Sequence, residues 1–268
     1  MKRITIFCPA KINLFLNIIG KQGNMHLLKM LNQTVSLFDV ISLEINNSSD
    51  INITCSDKNI PTDIKNSVFK AVLLMKKKYN INYGFNIFIE KNIPIGAGLG
   101  GESTDAAGII LGINKICKLN LTKKELISIG QDVGSDVPFC IMGGTKIVQS
   151  LGEKITNYKT EYNYFLIIKP KFNTSTKDMF IKYDGKNDSY KEYDITIGHN
   201  DFESIISVNN IKNDLLKNGA VISNMTGSGS AVIGIFKDFN SQKMAYNILK
   251  EKYEIYLVSS CSGIIIKM

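Results

Sequence analysis

The chain has 268 residues, 44% of them hydrophobic, and a formal net charge of +8 at pH 7. This length allows one large domain or two modest ones with a sizeable core. No uninterrupted apolar run approaches the roughly 20 residues of a membrane-spanning helix, which argues against a membrane protein. Arg3 is the only arginine. Because nucleic-acid readers usually use arginine, the basic charge favours an anionic small molecule over DNA or RNA as partner.

The sequence has five cysteines, which are Cys8, Cys55, Cys117, Cys140 and Cys261. Their odd number and wide spacing favour neither a disulfide framework nor a zinc site, and we expect a reducing, cytoplasmic location. The N-terminal stretch 1–20 has the basic start of a signal peptide, but Pro9, Lys11 and Asn13 interrupt its apolar segment. It is therefore predicted to form a strand.

Strands are predicted in the first half from alternation and β-branched content, at 3–8, 12–19, 40–45, 51–55 and 83–90. Helices are predicted over 66–79, from Ser103 through Ile113, and from Thr122 to Gly134, where Thr122 and Glu125 have the spacing of a capping box. The composition changes after Gly152, and a domain boundary is expected near 153–162.

The second half is predicted to contain strands at 164–170, 231–237 and 254–259 and helices at 175–183, 201–217 and 241–252. Residues 183–194 read as an exposed loop. Strands and helices do not alternate steadily, so the pattern predicts an α+β fold in two lobes, with domains 1–157 and 158–268.

The segment PIGAGLGGESTDAA, residues 94–107, contains the spacing Gly96-x-Gly98-x-x-Gly101. A second helix follows it where a Rossmann unit requires a parallel strand, and the Lys-Ser/Thr of a P-loop is absent from the sequence after the glycines. A strand that leads through a glycine-rich turn into a helix N-terminus can still hold phosphate oxygens on exposed N–H groups. A tight turn without a ligand would give the same pattern.

Three blocks resemble the three motifs of the GHMP kinase superfamily: PAKINLFL at 9–16, PIGAGLGGESTDAA at 94–107 and MTGSGSAV at 225–232. Within it, four further features resemble the branch that acts on a cytidine diphosphate-linked methylerythritol: His26, Lys91, GSDVPF at 134–139 and HNDFE at 199–203. The resemblance implies an N-terminal lobe like a domain of a ribosomal protein and a ferredoxin-like C-terminal lobe. It also implies a kinase that uses ATP and Mg²⁺ to phosphorylate the substrate's 2-hydroxyl in the cleft between them.

By this resemblance, Asp136 is the catalytic base for the substrate hydroxyl, and Lys11 keeps it ionised and faces the transferred phosphoryl group. The ATP-binding residues implied are Asn66, Pro94, Gly96, Ala97, Gly98, Leu99, Gly100, Gly101, Ser103 and Thr104. The substrate-binding residues implied are Asn13, Met25, His26, Lys91 and Phe180. Without the resemblance, Asp136 reads as a helix cap, Lys11 as a snorkelling strand lysine, and Ser103, Thr104 and Asp105 as N-capping residues.

Two positions depart from the family pattern. Met25 stands where the family usually has tyrosine, and a thioether stacks less well on a pyrimidine. Glu102 stands where glycine is common, and we expect its carboxylate to face solvent. A mevalonate or homoserine kinase, or a ligand-binding homologue without catalysis, are the alternative interpretations. The expected partner is a small molecule, with no nucleic acid or membrane, and the expected state is a monomer or weak homodimer.

Overall fold

The structure is a computed structural model that describes residues 3–186 and 189–268. The strands are β1 Arg3–Gln22, β2 Met25–Asn46, β3 Ile51–Cys55, β4 Gly84–Glu90, β5 Thr145–Ser150, β6 Lys154–Asn157, β7 Tyr164–Lys169, β8 His199–Asn200, β9 Ile222–Met225, β10 Val232–Phe236, β11 Glu254–Ser259 and β12 Ile265–Lys267. The helices are α1 Ser67–Tyr79, α2 Gly101–Ile116, α3 Lys123–Val133, α4 Val137–Met142, α5 Thr176–Lys186, α6 Asn209–Lys217, α7 Phe239–Leu249 and a 3-10 helix Asp201–Ser204.

Two sheets organise the chain. The larger sheet has the order β12-β1-β2-β4-β3, with β5 added beside β2, β6 beside β5 and β8 beside β1. The smaller sheet has the order β11-β7-β10-β9 and is antiparallel throughout. Helices α1, α2 and α3 pack together on the larger sheet, with α2 against β1. The α+β class expected from the sequence is confirmed.

The first two strands are longer than predicted. The segments 3–8 and 12–19 form one strand, β1, which continues past Pro9 through a register shift against β2. A proline lacks the N–H that a regular ladder needs, so the irregularity at that position lets the strand continue. The predicted strand 40–45 is only the end of β2, because the earlier part of β2 carries buried polar side chains that hide its period.

Helix α2 lies unusually close to β1, and its glycines are the cause. A Cβ on Gly108 would lie 2.4 Å from the sulfur of Cys8, and one on Gly112 would lie 2.5 Å from Ile6 Cδ1. This close packing brings the N-terminal end of α2 to the segment of β1 around Lys11. The capping box predicted at Thr122 is present at the start of α3.

The second half departs from the predictions at its centre. The predicted helix 201–217 is wrong: β8 and the 3-10 helix precede α6, which begins at Asn209. The Asn200 side chain caps the 3-10 turn by accepting from the N–H of Phe202 (3.0 Å), and Asp201 accepts from the N–H of Ile18 (2.6 Å), which binds the segment to β1. These side-chain bonds compete with a continuous helix.

The sequence patterns also missed α4, β5, β6, β9 and β12. The predicted loop 183–194 is helical up to Lys186 with Tyr183 buried, and its residues 187 and 188 lie outside the described part. Within residues 3–186 and 189–268, no helix has both the length and the apolar character needed to cross a bilayer.

Candidate active site

The glycine-rich segment forms an open loop in front of α2. Gly96, Gly98 and Gly100 adopt left-handed backbone angles, with φ of +66°, +76° and +71°. Gly100 is the N-cap residue of α2, and no side chain caps that end. The alternative reading of Ser103, Thr104 and Asp105 as capping residues is therefore wrong. The first N–H groups of α2 point out of an uncapped helix end, which is the arrangement that binds phosphate oxygens.

A second glycine-rich segment, residues 225–232, packs directly against this loop. A Cβ on Gly98 would lie 2.5 Å from the carbonyl oxygen of Thr226, and one on Gly227 would lie 2.8 Å from the carbonyl oxygen of Gly98. The N–H of Ala231 donates to the carbonyl of Ala97 at 3.2 Å. The two loops thus touch backbone to backbone, which requires bare glycines on both sides.

The segment HNDFE at 199–203 holds the second loop in place. The amide nitrogen of Asn200 donates to the carbonyls of Met225 (2.8 Å) and Gly227 (2.9 Å). The carboxylate of Glu203 accepts from the N–H of Met225 at 2.6 Å. Asn200 and Glu203 of this segment therefore support the second loop, whereas Asp201 binds β1.

Lys11 lies beneath the glycine loop and faces Asp136. It is only 5% exposed, and its N–H donates to the carbonyl of Leu99 at 2.9 Å. A Cβ on Gly100 would come within 2.8 Å of Lys11 Cγ, so the side chain runs along the loop. Its Nζ lies 3.4 Å from Oδ2 of Asp136, whose side chain is 30% exposed. Asp136 precedes α4, so the turn after α3 delivers a carboxylate to a buried ammonium.

Asn13 lies behind Lys11. It is fully buried, and its Oδ1 accepts from Lys11 Nζ at 2.9 Å. Its Nδ2 donates to Oδ1 of Asn32 at 2.6 Å, and its N–H donates to the Thr226 hydroxyl at 2.8 Å. Asn13 therefore orients the ammonium of Lys11 and lies outside the lining of the cavities described next. The sequence analysis did not identify Asn32. The only sign of it in the sequence is a polar residue within a segment that also carries apolar strand residues.

Two cavities meet at Asp136. The larger, of about 370 Å³, is lined by Lys11, Lys91, Ser103 and the loop from Ile93 to Gly101. The smaller, of about 200 Å³, is lined by a different set that includes Asn24, Met25, His26, Leu151 and Gly152. The residues that line both are Leu28, Met30, Ser135, Asp136 and Phe180. A carboxylate at such a junction can reach a group in either cavity.

Three of the predicted substrate residues come together in the smaller cavity. The ring of His26 stacks on that of Phe180, with 4.1 Å between centroids and 14° between planes. His26 Nε2 lies 2.8 Å from a carboxylate oxygen of Asp184, a residue that the sequence patterns did not single out. Met25 stands at the edge of the cavity and is 53% exposed. This end of the site is aromatic and apolar, with one polar ring.

Lys91 lies apart from Met25 and His26, because it lines the larger cavity and not the smaller one. Its Nζ donates to carboxylate oxygens of Asp39 and, at 2.8 Å, Asp105, and all three side chains are buried. The other oxygen of Asp39 accepts from the N–H groups of Asn92 (2.6 Å) and Ile93 (2.8 Å). Lys91 thus lines the larger cavity as part of a buried cluster that anchors the chain entering the glycine loop.

Burial dominates the electrostatics of this cluster. Desolvation raises the pKa of Asp105 to about 7, against the opposing attraction of Lys91 and with further repulsion from Asp39. Complete burial, together with the nearby charges of Asp105 and Asp39, raises the pKa of the Cys8 thiol well above its usual range. Cys8 is therefore an inert thiol in the core.

The remaining predicted nucleotide residues are placed as follows. Asn66 caps α1 by accepting from the N–H of Val68 at 2.8 Å, and its Nδ2 donates to the carbonyl of Pro61 at 2.6 Å. Thr104 is buried, whereas Ser103 lines the larger cavity. Glu102 is exposed in the first turn of α2, in agreement with the expectation for its side chain.

Comparison with known proteins identifies the family. Residues 66–144 match the model of the GHMP kinases N terminal domain, and residues 203–255 match that of the GHMP kinases C terminal domain. A 4-diphosphocytidyl-2-C-methyl-D-erythritol kinase of Clostridium tetani is 40% identical, over 92% of this chain and 96% of its own length. The chain belongs to the GHMP kinase family. It is accordingly a phosphotransferase.

Other relatives of this GHMP kinase agree. An enzyme of the same name from Caldicellulosiruptor bescii is 36% identical, over 95% of this chain and 97% of its own length. A crystal structure of 4-(cytidine 5'-diphospho)-2C-methyl-D-erythritol kinase superimposes with a TM-score of 0.83 at 22% identity, covering 97% of this chain and all of that one. A homoserine kinase from Cytophaga hutchinsonii gives 0.77 at 18% identity, covering 100% and 98%. Both structures confirm the predicted two-lobed GHMP kinase fold.

Proposed function

We propose that this protein transfers the γ-phosphoryl group of ATP to the 2-hydroxyl of 4-diphosphocytidyl-2-C-methyl-D-erythritol, in non-mevalonate isoprenoid precursor synthesis. The observation that carries the proposal is the pair Lys11–Asp136, 3.4 Å apart where the two cavities meet. The larger cavity holds the glycine loop, which suits ATP phosphates. The smaller one has the aromatic lining that suits a planar base. Relatives that are 36–40% identical bear the name of this kinase.

Asp136 acts as the general base in this proposal. Phosphoryl transfer needs a positioned carboxylate to take the proton of the attacking hydroxyl. The Lys11 ammonium lies 3.4 Å from that carboxylate, and Asn13 holds the ammonium from behind. In the buried setting of Lys11, its charge is also available to stabilise the charge that develops on the transferred group. The proton leaves the hydroxyl for an Asp136 oxygen as the hydroxyl oxygen bonds to the γ-phosphorus, and the bond from that phosphorus to the β–γ bridging oxygen breaks to release ADP.

The residues of the larger cavity fit ATP. Its phosphates would lie on the loop from Gly96 to Gly101 and the uncapped start of α2, where bare backbone allows close approach. For Mg²⁺, the described residues hold no group of three acidic, histidine or cysteine ligands. The ion usually binds through phosphates and one or two protein oxygens, and Ser103 lines the cavity. When bound, it neutralises phosphate charge.

We assign residues 1–157 to the N-terminal lobe and residues 158–268 to the C-terminal lobe. Strand β6 ends at Asn157, and β7 then begins the smaller sheet, which supports this division. Strands β8 and β12 return to the larger sheet and tie the lobes together. We place the enzyme in the cytoplasm, since both proposed substrates are water-soluble phosphate compounds.

An ADP-release assay with purified protein, ATP and a panel of alcohols tests the proposal. We expect turnover of the cytidylyl substrate far above that of mevalonate or homoserine, the substrates of the rival kinases, with the phosphorylated product identified by mass spectrometry. Faster turnover of mevalonate or homoserine would show that the proposed substrate is wrong. Absence of turnover with any alcohol, together with measurable binding of ATP, would favour a ligand-binding homologue without catalysis.

A further inference from the structure

The side chain of Asp184, on α5, gathers three donors beside the smaller cavity. One carboxylate oxygen accepts from His26 Nε2 (2.8 Å) and from the hydroxyl of Tyr190 (3.1 Å). The other accepts from Lys21 Nζ at 2.5 Å. The carboxylate therefore joins α5 to the β1–β2 hairpin at the position where His26 enters the cavity.

This contact determines which nitrogen of His26 carries hydrogen. Burial opposes ionisation of Asp184, but the bonds from His26, Lys21 and Tyr190 outweigh it and lower the pKa of Asp184 to about 2. An ionised carboxylate only accepts hydrogen bonds, so Nε2 of His26 must be the donor. In the neutral ring, Nδ1 is then left as an acceptor.

The ring has little freedom to change this arrangement. His26 stacks on Phe180, and its side chain is 8% exposed, while the ring lines the smaller cavity. With Nε2 bonded to Asp184 and one face covered, the polar function that the ring can offer a ligand is the acceptor Nδ1. Cytosine carries an amino donor at position 4, whereas uracil carries a carbonyl acceptor there.

We propose that Asp184 is the positioning residue for base selectivity in the smaller cavity: by taking the Nε2 hydrogen of His26, it leaves Nδ1 to accept from the amino group of cytosine and to repel the carbonyl of uracil. This inference rests on the proposed function, which places the base of the substrate in that cavity. A site that pairs with a specific hydrogen-bonding group discriminates strongly against an analogue that cannot pair.

The tautomer is measurable directly. His26 and His199 are the only histidines of the chain, and His199 Nε2 lies 2.7 Å from Asp201, which makes it an internal control. We expect ¹⁵N NMR of histidine-labelled protein at pH 8.5 to show His26 as the neutral Nε2–H form. A proton on both nitrogens of His26, or on Nδ1 alone, would overturn the inference.

The variant Asp184→Asn should reverse the tautomer. Its amide nitrogen is repelled by the Lys21 ammonium, so the amide oxygen turns to Lys21 and the nitrogen donates to His26 Nε2. Nδ1 of His26 then carries the hydrogen. We expect the His26 resonances to change and those of His199 to stay. Unchanged His26 resonances in the variant would contradict the role of Asp184.

Selectivity is measured as the ratio of kcat/KM for the cytidine and uridine forms of the nucleotide-linked alcohol. We expect at least a 100-fold preference for cytidine in the wild type, and at least a tenfold smaller preference in Asp184→Asn. Tyr190→Phe removes another donor to the same carboxylate oxygen and should keep the ratio within threefold. An equal loss for both substrates in Asp184→Asn, or an unchanged ratio, would overturn the inference.

Calorimetric binding of CDP and UDP separates the two proposals. If neither alcohol is phosphorylated, the proposed function fails, and the ratio of the CDP and UDP Kd values still tests base selectivity. We expect CDP to bind at least tenfold more tightly than UDP to the wild type and the difference to shrink at least threefold in Asp184→Asn. Equal Kd values in the wild type would overturn the inference.

Discussion

The Nζ atom of Lys11 lies 3.4 Å from Oδ2 of Asp136. The Lys11 side chain is buried, whereas the Asp136 carboxylate is partly exposed in the cleft. Asn13 accepts a second bond from the same ammonium at 2.9 Å. The pair therefore joins a buried ammonium to a carboxylate that a ligand in the cleft can reach. Since the two residues belong to different parts of the chain, only the folded lobe forms this pair.

The first prediction removes each partner of this pair. Asp136→Asn should lower kcat by about 10²–10⁴-fold, the usual contribution of a positioned general base. Lys11→Met keeps the side-chain stem that packs under Gly100 and should also nearly abolish turnover. The KM for ATP should stay within about threefold, because neither group belongs to the glycine loop. Near wild-type kcat in Asp136→Asn would show that another group takes the proton.

The second prediction concerns the contact between the two glycine loops. Gly98→Ala places a Cβ 2.5 Å from the backbone oxygen of Thr226, so the loop must move, and KM for ATP should rise at least tenfold. Gly219→Ala is the control, because Gly219 also has a positive φ but open space around its Cβ position. The free energy of unfolding of that variant should fall by only about 1–2 kcal/mol, which is the cost of a left-handed backbone conformation for a residue with a Cβ. Equal KM values in the two variants would contradict the role of the loop contact.

The third prediction follows from the raised pKa of Asp105. The folded protein keeps a proton on Asp105 up to about pH 7, whereas the unfolded chain releases it near pH 4. Protons bound only by the folded state make stability fall as the pH rises through this interval. We compare the free energy of unfolding of the wild type with that of Asp105→Asn. The wild-type value minus the variant value should fall by more than about 1.4 kcal/mol between pH 5 and pH 8, which is the equivalent of one pKa unit.

Urea unfolding at the two pH values measures this difference. Asp132→Asn, which removes an exposed carboxylate on α3, controls for the loss of one charge and should leave the pH dependence unchanged. A wild-type stability that rises from pH 5 to pH 8 relative to Asp105→Asn would show that Lys91 outweighs burial and keeps Asp105 ionised.

The fourth prediction tests Glu102, the acidic residue at the start of α2. Because Glu102 is exposed, solvent screens its repulsion of bound phosphate. Glu102→Gly should leave kcat and the magnesium dependence unchanged and shift ATP affinity by no more than fivefold, about 1 kcal/mol. Steady-state titrations of ATP and magnesium measure both. A tenfold higher magnesium requirement in the variant would make Glu102 a metal ligand.

Short sequence patterns correctly predicted the features that depend on neighbouring residues alone. The capping box at Thr122, the helix that Asn66 opens and the strand Ile51–Cys55 all appear as predicted. The glycine spacing from Gly96 to Gly101 predicted a backbone that another group can approach closely. The three sequence motifs indicated the family. Such features follow from dihedral preference, capping and side-chain period, which neighbouring residues decide.

Tertiary structure alone decided the partners of Lys91 and His26. The sequence placed Lys91 with His26 at the substrate end, but the fold buries Lys91 between Asp39 and Asp105, which β2 and α2 bring to it. Asp184 becomes the partner of His26 only because α5 packs beside the β1–β2 hairpin. A buried charge must find its counter-charge wherever the packed chain supplies one, and no short-range pattern encodes that choice.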